Sequence, residues 1–448
     1  MKMRINIYKA FALLVGAFVM VSCSDMLDDI KPKDKIDANS MTEDDLSKVV
    51  NGVYATMESH MNAMWWDGDV MGENFRSGPG GNLTDPLDMS PSKSSIKSRW
   101  NNSFTSLKQV NFLIENYEGN SNKGSQVVRT AGGTGYFFRA LIYYNTVIRW
   151  GKAPILRKRM YDVVPLSDEA AIWQFIIEDL GKAEELLPEF SDRFYVSKAA
   201  CNALLARAYL STKQYDKAAT CADKVIGNTS LQLMRNSVDW AKMFVYNSAS
   251  KELVFALANK RTTSTILFYQ SINDVDGSWN YSATHEIYSG LYSDAAYRQG
   301  DIRSKAVFGA DPTRIIKFPN ELDGQFVKNE TPSQTPIPVI RLAEVYLIKA
   351  EAQGASAGLS TMKDFLEARY ATVSLPTSMS DREYQDLILD ERHRELYCEG
   401  FRWYDLKRTG RLDLFKNLNG RTHLMYWPIP QAEIDLAGKE NYPQNPGY

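Results

Sequence analysis

Apolar side chains recur at steps of three and four residues along much of the chain, which is the spacing of one face of an α-helix. Residues 98–117 show it most clearly, with apolar positions at Trp100, Phe104, Leu107, Val110, Ile114 and Tyr117. A partner helix is predicted over residues 42–60, because Thr42 can cap it and residues 43–45 are all acidic. Together the two segments predict a helical hairpin.

Three more helical pairs are predicted downstream. Residues 136–150 have a helical composition, and a helix over residues 168–187 follows as their partner. Another pair joins residues 340–352 to a helix that begins near Ser380. Glu383 stands three residues after that serine, in the order of a capping box.

The remaining pair, residues 197–226, has the order of a repeat. Small residues stand where two helices would cross, and aromatic residues fill the gaps: Leu205, Ala206, Tyr209, Tyr215, Ala218, Ala222 and Val225. This order resembles a tetratricopeptide repeat. The predicted fold class is therefore mostly α, a tetratricopeptide-like scaffold of about four helical hairpins.

Two segments interrupt the helical pattern. Residues 61–97 are rich in glycine, proline, asparagine and serine, and so predict a long loop. Residues 231–335 alternate short apolar runs, such as residues 253–257, with turn residues, and so predict a loop-rich insert with short strands. The helical scaffold is assigned to residues 41–230 and 336–448 of one domain.

The first residues predict the compartment. Basic residues precede an apolar run over residues 10–21, which is the pattern of a secretory signal peptide. About a dozen apolar residues are too few to cross a bilayer, which takes roughly 20 helical residues. The run ends at Ser22 and Cys23 in an order that resembles a bacterial lipobox, in which the cysteine sulfur accepts a lipid.

The N-terminus is accordingly divided into a signal peptide, residues 1–22, and a lipidated tether, residues 23–40, ahead of the domain over residues 41–448. Met20 is not the usual lipobox residue at its position, so a plain cleavage signal that happens to contain a cysteine stays open as an alternative. With Cys23 lipidated, the protein is expected to be held at the outer membrane and exposed at the cell surface.

Composition removes several classes of function. The chain has 52 basic and 54 acidic residues, a net charge of −2, which offers no electrostatic footprint for nucleic acid. The cysteines after Cys23 are three, Cys201, Cys221 and Cys398, so no disulfide framework is predicted. Cys201 and Cys221 fall on apolar helical faces and are expected to act as small hydrophobic residues. The four histidines lack metal-ligand spacing, and no cofactor or metal is expected.

The last quarter of the chain carries a more specific pattern. It consists of residues 390–396, DERHREL, and residues 399–408, EGFRWYDLKR, followed by Trp427-Pro428-Ile429-Pro430 and by residues 444–448. This pattern is similar to the signature of the SusD/RagB family of surface nutrient-binding lipoproteins. The helix over residues 341–352 and the lipobox fit the same family.

The resemblance implies a function without catalysis. Members of such a family capture oligosaccharides at the cell surface and pass them to a TonB-dependent outer-membrane transporter of SusC type, the implied partner here. Some relatives take peptides, so a peptide or another nutrient stays open as the cargo.

Within the signature, charged residues of both signs are spaced three and four apart: Glu391, Arg392, Glu395, Glu399 and Arg402. They are predicted to pair along one helix surface, where the arginines would keep the carboxylates ionised. Gly400 is expected to serve a turn or a close packing contact. The pattern thus favours a scaffold over a catalytic site.

Two loop regions combine aromatic rings, which stack on sugars, with polar groups that bind hydroxyls. The candidate ligand-binding residues are Trp65, Trp66, Asn74 and Arg76 in the first loop, and Trp279, Tyr281, Tyr288 and Tyr292 in the insert. The resemblance implies a glycan site built from loops in these same regions. Alternatively, the tryptophans cap the ends of the helical core.

Two further hypotheses come from the first loop and the hairpins. Asp67, Asp69 and Glu73 lie near the tryptophans and could serve a glycoside hydrolase, which needs two carboxyl groups about 5 to 10 Å apart. A calcium loop beginning at Asp67 is disfavoured, because Met71 and Gly78 stand at ligand positions. The hairpins alone would also suit a repeat scaffold that binds protein.

Overall fold

The structure, a computed structural model, describes residues 41–81, 83, 85, 87–245, 249–259, 280–308, 314–318 and 335–448. Its helices are α1 Glu43–Met71, α2 Ser94–Gly119, α3 Gln126–Trp150, α4 Glu169–Leu186, α5 Lys198–Ser211, α6 Tyr215–Ile226, α7 Ser237–Lys242, α8 His285–Gly290, α9 Ser304–Val307, α10 Leu342–Leu366, α11 Asp381–Leu396, α12 Arg402–Arg408 and α13 Gln431–Ala437. Its strands are β1 Phe75–Ser77, β2 Ala153–Pro154, β3 Leu166–Ser167, β4 Leu253–Leu257, β5 Tyr281–Ala283, β6 Arg298–Asp301, β7 Ile337–Arg341 and β8 Tyr370–Val373.

Consecutive helices pack side by side in one continuous stack. Each of α1 to α5 contacts the next one or two helices in the chain, and α10 packs against α6 and α11. The fold class is confirmed as mostly helical with few short strands. The finer assignment to tetratricopeptide-like repeats stays a prediction. Within the described residues, no helix is long and apolar enough to cross a membrane.

The predicted helix starts are confirmed at their caps. Thr42 and Asp45 form a capping box at α1, and Ser380 and Glu383 form another at α11. The Asp168 side chain accepts a hydrogen bond from Ala171 N at α4. These caps satisfy backbone N–H groups that would otherwise have no partner.

Helix α1 is longer than predicted. It runs eleven residues past His60, to Met71, so the first part of the segment predicted as a loop, including Trp65 and Trp66, is helical. The apolar face continues through Met61 and Met64, which are buried in the core. The loop prediction for this part was wrong because polar residues are common there and because Gly68 lowers the helix propensity. A glycine inside a helix costs about 1 kcal/mol relative to alanine.

The insert is joined to the scaffold through its strands. In the described residues, β4 pairs with β7, β5 pairs with β1 and β6 pairs with β8, all antiparallel. Each of these two-stranded sheets takes one strand from residues 231–335 and one from outside it. The short strands predicted for the insert are therefore present, and their partners β1, β7 and β8 lie between helices outside the insert.

The signature helix α11 faces inward, which corrects the prediction of surface pairs. Glu391 and Glu395 are fully buried and form ion pairs with arginines from distant parts of the chain. Glu395 binds Arg303, Arg341 and Arg369 at 2.6–2.8 Å, and Glu391 binds Arg303 at 3.1 Å. Helical spacing accounts for none of these contacts, although it does account for the pair of Arg394 with Glu391 at 2.9 Å.

Glu391 and Glu395 are kept ionised, as predicted. Burial raises the pKa of Glu395, but Arg369, Arg341 and Arg303 together outweigh it and hold that pKa well below the ordinary value. The pKa of Glu391 is also lowered, because Arg394 and Arg303 outweigh its burial. The network ties the insert, β7 and β8 to the signature helix.

The cysteines after residue 40 are buried and free. Cys201 and Cys221 lie in the helical core, and burial raises the pKa of both thiols. Cys398 is buried in the turn of residues 397–400 that follows α11, which we call the signature turn. The prediction that Cys201 and Cys221 act as small hydrophobic residues is confirmed.

Candidate functional site

The two loop regions predicted to bind ligand meet in one sheet. Strand β1 pairs with β5 so that Phe75 lies opposite Ala283, Arg76 opposite Ser282 and Ser77 opposite Tyr281. The Arg76 Nε also donates to the backbone oxygen of Ala283 at 3.1 Å. Segments about 200 residues apart in sequence are thereby brought side by side.

A glycine turn closes this sheet. Gly78 N donates to Asn280 O at 2.9 Å, and Gly81 N donates to Gly78 O at 3.1 Å. A Cβ atom at Gly81 would lie 1.8 Å from Asn280 O, so only glycine permits this approach. The glycine-rich stretch after Ser77 thus has a packing role against the insert.

Three of the predicted ligand-binding residues lie at the surface of this sheet and its neighbouring helix. Arg76 is exposed, while Tyr281 and Tyr288 are partly exposed. The Tyr288 hydroxyl lies 3.0 Å from His285 Nδ1, with the two rings edge to face. We call Arg76, Tyr281, Tyr288 and His285 the "β1–β5 surface"; the strand register puts Arg76 and Tyr281 on opposite faces of this two-stranded sheet.

A third segment borders this surface. Glu73 accepts hydrogen bonds from the backbone N–H groups of Lys416 and Asn417 at 2.9 and 2.7 Å, and Lys416 Nζ lies 3.4 Å from Glu286. Glu73 has a φ of 61°, which is unusual for a residue with a side chain. Its carboxylate contacts hold the backbone in that conformation, directly before β1.

Asn74 and Tyr292, also predicted to contact ligand, are buried. Asn74 donates to Asp69 Oδ1 at 2.6 Å and its amide oxygen lies 2.7 Å from His393 Nε2. The Tyr292 hydroxyl donates to Arg394 O at 2.8 Å. Because their polar groups form hydrogen bonds inside the protein, these two residues have a structural role next to the β1–β5 surface.

None of the three predicted tryptophan side chains belongs to the described parts of the structure. Trp279 falls outside the described residues, and the side chains of Trp65 and Trp66 are likewise not described, although both residues belong to α1. Their role in binding stays a prediction. His285, which sequence reasoning did not single out, could have been found from its spacing of three residues before Tyr288 on one helix face.

The end of α1 is fixed against the signature turn, and this fixes where β1 starts. A Cβ atom at Gly68 would lie 2.0 Å from Gly400 O, so the helix and the turn touch backbone to backbone. Gly400 has a φ of 85° and donates its N–H to Asp69 Oδ2 at 2.6 Å. The expectation that Gly400 serves a turn and close packing is confirmed.

Asp69 is the centre of this contact. It is fully buried, and burial raises its pKa to about 7 against the opposing effect of the Gly400 N–H. One carboxylate oxygen holds the signature turn and the other holds Asn74, one residue before β1. The position of the β1–β5 surface therefore depends on Asp69.

The three carboxylates considered for a hydrolase are all engaged in structure. Asp67 is buried and binds Arg149 at 2.5 Å and Arg99 at 3.2 Å. Asp69 and Glu73 hold backbone N–H groups of other segments. This arrangement is unlike a pair of carboxyl groups that face each other across a substrate bond.

Two family models match the chain. The model described as "SusD family" matches residues 255–421, and the model described as "Starch-binding associating with outer membrane" matches residues 25–210. A curated relative, SusD-like protein P2 of Formosa agariphila, is 26% identical over 97% of this chain and 98% of its own.

Solved structures have the same fold. A SusD superfamily protein from Bacteroides thetaiotaomicron superposes with a TM-score of 0.74 at 22% identity, covering 91% of this chain and all of its own. A laminarin-binding SusD-like protein superposes with a TM-score of 0.68 at 21% identity, covering 90% of this chain and 99% of its own. With both family models and the fold in agreement along most of its length, the chain belongs to the SusD family.

Proposed function

We propose that this protein is a cell-surface glycan-binding lipoprotein that captures oligosaccharides and delivers them to a SusC-type TonB-dependent outer-membrane transporter. The observation that carries the proposal is the pairing of β1 with β5, because it brings the first loop, with Arg76, beside the insert, with Tyr281 and Tyr288. The match to a family model described as starch-binding and the similar fold of a laminarin-binding protein support a sugar as ligand.

The chemistry of the β1–β5 surface suits a sugar. Tyr281 and Tyr288 offer aromatic rings for the C–H faces of a pyranose, and Arg76 offers N–H donors for its hydroxyl groups. His285 fixes the Tyr288 hydroxyl at 3.0 Å, which lowers the entropy lost when that group binds. Trp65, Trp66 and Trp279 complete the proposed set as additional stacking rings, and Asn74 and Tyr292 complete it as supports.

Calorimetry with α-glucan and β-glucan oligosaccharides tests the binding surface. Tyr281→Ala and Tyr288→Ala are each expected to weaken glycan binding at least about fivefold, as loss of a stacking ring should. Trp66→Ala and Trp279→Ala test the remaining rings in the same way. Tyr215→Ala is the matched control, because Tyr215 is 45% exposed on α6, outside this surface. Wild-type affinity in both tyrosine and both tryptophan variants of the proposed site would contradict it.

Lipid attachment and the transporter need their own experiments. Labelling of cells with a radioactive fatty acid should mark the wild-type protein and leave Cys23→Ala unmarked. Purification from solubilised outer membranes should recover a large barrel protein with the chain. Recovery of the chain without any barrel would rule out delivery to a SusC-type partner and leave glycan capture standing.

Peptide or another nutrient is the alternative cargo in the same role. A peptide mixture titrated against the wild-type protein and Tyr281→Ala distinguishes the two, since only a true ligand of the surface loses affinity in the variant. A hydrolase is disfavoured by the structural use of Asp67, Asp69 and Glu73. Release of reducing ends from the glucan panel would overturn the assignment of no catalysis.

A further inference from the structure

A second cleft lies far from the β1–β5 surface. It has a volume of about 450 Å³ and is lined by residues 190–194, with Ser230, Ser250 and Lys251 opposite. Val196, just after this loop, donates its N–H to the Tyr54 hydroxyl at 2.8 Å. Tyr54 precedes Met71, the last residue of α1, by 17 residues, which at 1.5 Å per residue is about 26 Å along the helix.

The floor of the cleft is held in place by hydrogen bonds to its neighbours. Arg193 O accepts the N–H of Ala256 on β4 at 2.9 Å, and Arg193 Nη1 donates to Ser250 O at 3.0 Å. Phe194 N donates to Asp192 Oδ1 at 2.9 Å, which closes the turn of the loop. A ligand would therefore meet a formed cleft and would not have to order it.

The side chains in the cleft combine rings and polar groups. Phe190 and Phe194 are partly exposed, and the Arg193 guanidinium lies 4.9 Å above the Phe194 ring. Asp192 and Lys251 are exposed at its rim, so carboxylate acceptors and ammonium donors stand beside the rings. By contrast, a larger cleft of about 670 Å³ beside Met41 has no aromatic side chain in its described lining.

We infer that the cleft of residues 190–194 and 250–251 is a second carbohydrate subsite, which takes a neutral sugar ring. The volume lies in the range of small-ligand sites, about 300 to 1,000 Å³. Phenyl rings provide the apolar face, while Asp192 provides an acceptor and Lys251 a donor for sugar hydroxyl groups. The inference rests on the proposed carbohydrate-binding function and adds a second binding point on the same chain.

A titration of the full chain with the glucan oligosaccharides, followed by calorimetry and saturation-transfer NMR, tests this subsite. The double variant Phe190→Leu with Phe194→Leu keeps apolar bulk in the half-buried positions but removes both flat rings. It is expected to lose one of two binding sites, while Tyr281→Ala loses the other. Lys251→Ala, an exposed change with little effect on folding, is expected to weaken the same site as the leucine variant.

The outcomes are distinguishable. Two sites in the wild type, one in each variant, support the subsite. Glycan binding that disappears in Tyr281→Ala and is unchanged in the leucine and Lys251→Ala variants overturns the subsite and leaves the proposed function intact. No binding of any glucan by the wild type overturns both. The unfolding midpoint of Lys251→Ala is measured as a control. A midpoint equal to that of the wild type shows that any loss of binding in this variant is not caused by unfolding.

Discussion

Two regions of this protein combine arginine with tyrosine, yet they differ in what those side chains face. In the signature network, Arg303, Arg341 and Arg369 are at most 1% exposed and each binds two or more carboxylates. On the β1–β5 surface, Arg76 is exposed and its Nε donates to one backbone oxygen. Residue type alone therefore does not distinguish residues that stabilise the fold from residues that bind a ligand. Burial of the side chain and the identity of its partners distinguish them.

The difference has an energetic meaning. A buried ion that loses its partner keeps the cost of leaving water, so each member of the network is strongly coupled to the fold. An exposed side chain returns to water when its contact is lost, and its replacement changes stability little. The network should thus respond to mutation in unfolding experiments, and the surface should respond in binding experiments.

The largest expected effect comes from Arg341→Met. Arg341 donates to Glu395 and Glu399 at 2.6 Å and to Glu252 at 3.1 Å, so its removal leaves buried carboxylates short of positive charge. We expect a loss of about 3 to 5 kcal/mol in the free energy of unfolding, measured with urea. Lys48→Met, which removes an exposed pair with Asp44, is the control and should leave that free energy unchanged. A loss below about 1 kcal/mol in Arg341→Met would place the network among weak surface pairs.

The next effect tests how the signature turn sets the position of the surface. Gly68→Ala places a methyl group 2.0 Å from Gly400 O, and we expect a loss of about 1 to 3 kcal/mol. Gly52→Ala is the matched control on the same helix, because nothing lies within 4 Å of its Cβ. That change should stabilise the protein by about 0.5 to 1 kcal/mol through helix propensity. Equal effects of the two substitutions would show that the turn does not touch α1 closely in solution.

Local patterns were read correctly from the sequence, and long-range ones were not. The caps at Thr42, Asp168 and Ser380 depend on residues within four positions, so the sequence alone predicts them. The partners of Glu395 come from residues 303, 341 and 369, and no spacing rule connects them. In the extension of α1 to Met71, Gly68 meets Gly400, a contact 332 residues apart that periodicity does not contain.

The candidate site divides in the same way. Sequence reasoning placed it in two aromatic and polar loops, and the structure pairs those loops as β1 and β5. It did not separate the exposed Arg76 from the buried Asn74, because both follow the same loop pattern and lie two residues apart. Burial of Asn74 results from Asp69 and His393, which come from different elements of the fold.

A smaller effect concerns pH and Asp69. Its pKa is about 7 in the folded protein and near 3.9 in the unfolded chain, so between these values the folded state binds more protons. Its contribution to stability therefore falls as pH rises through this window, by up to about 1.4 kcal/mol per pH unit. Asp69→Asn should remove that slope when urea unfolding is compared at about pH 5 and about pH 6. Parallel profiles for wild type and variant would mean that Asp69 is ionised throughout.

The smallest change in stability, and the sharpest contrast with the network, is expected for Arg76→Ala. Arg76 is exposed and gives up one hydrogen bond to Ala283 O, so unfolding should shift by no more than about 0.5 kcal/mol. Glycan affinity should fall nonetheless, because the guanidinium donors are lost from the β1–β5 surface. Arg76→Lys keeps the charge without the planar donor pair, so it separates attraction from hydrogen-bond geometry. If Arg76→Ala instead destabilised the protein as Arg341→Met does while binding glycan normally, the two regions would have exchanged roles, and the ligand surface would have to be sought elsewhere.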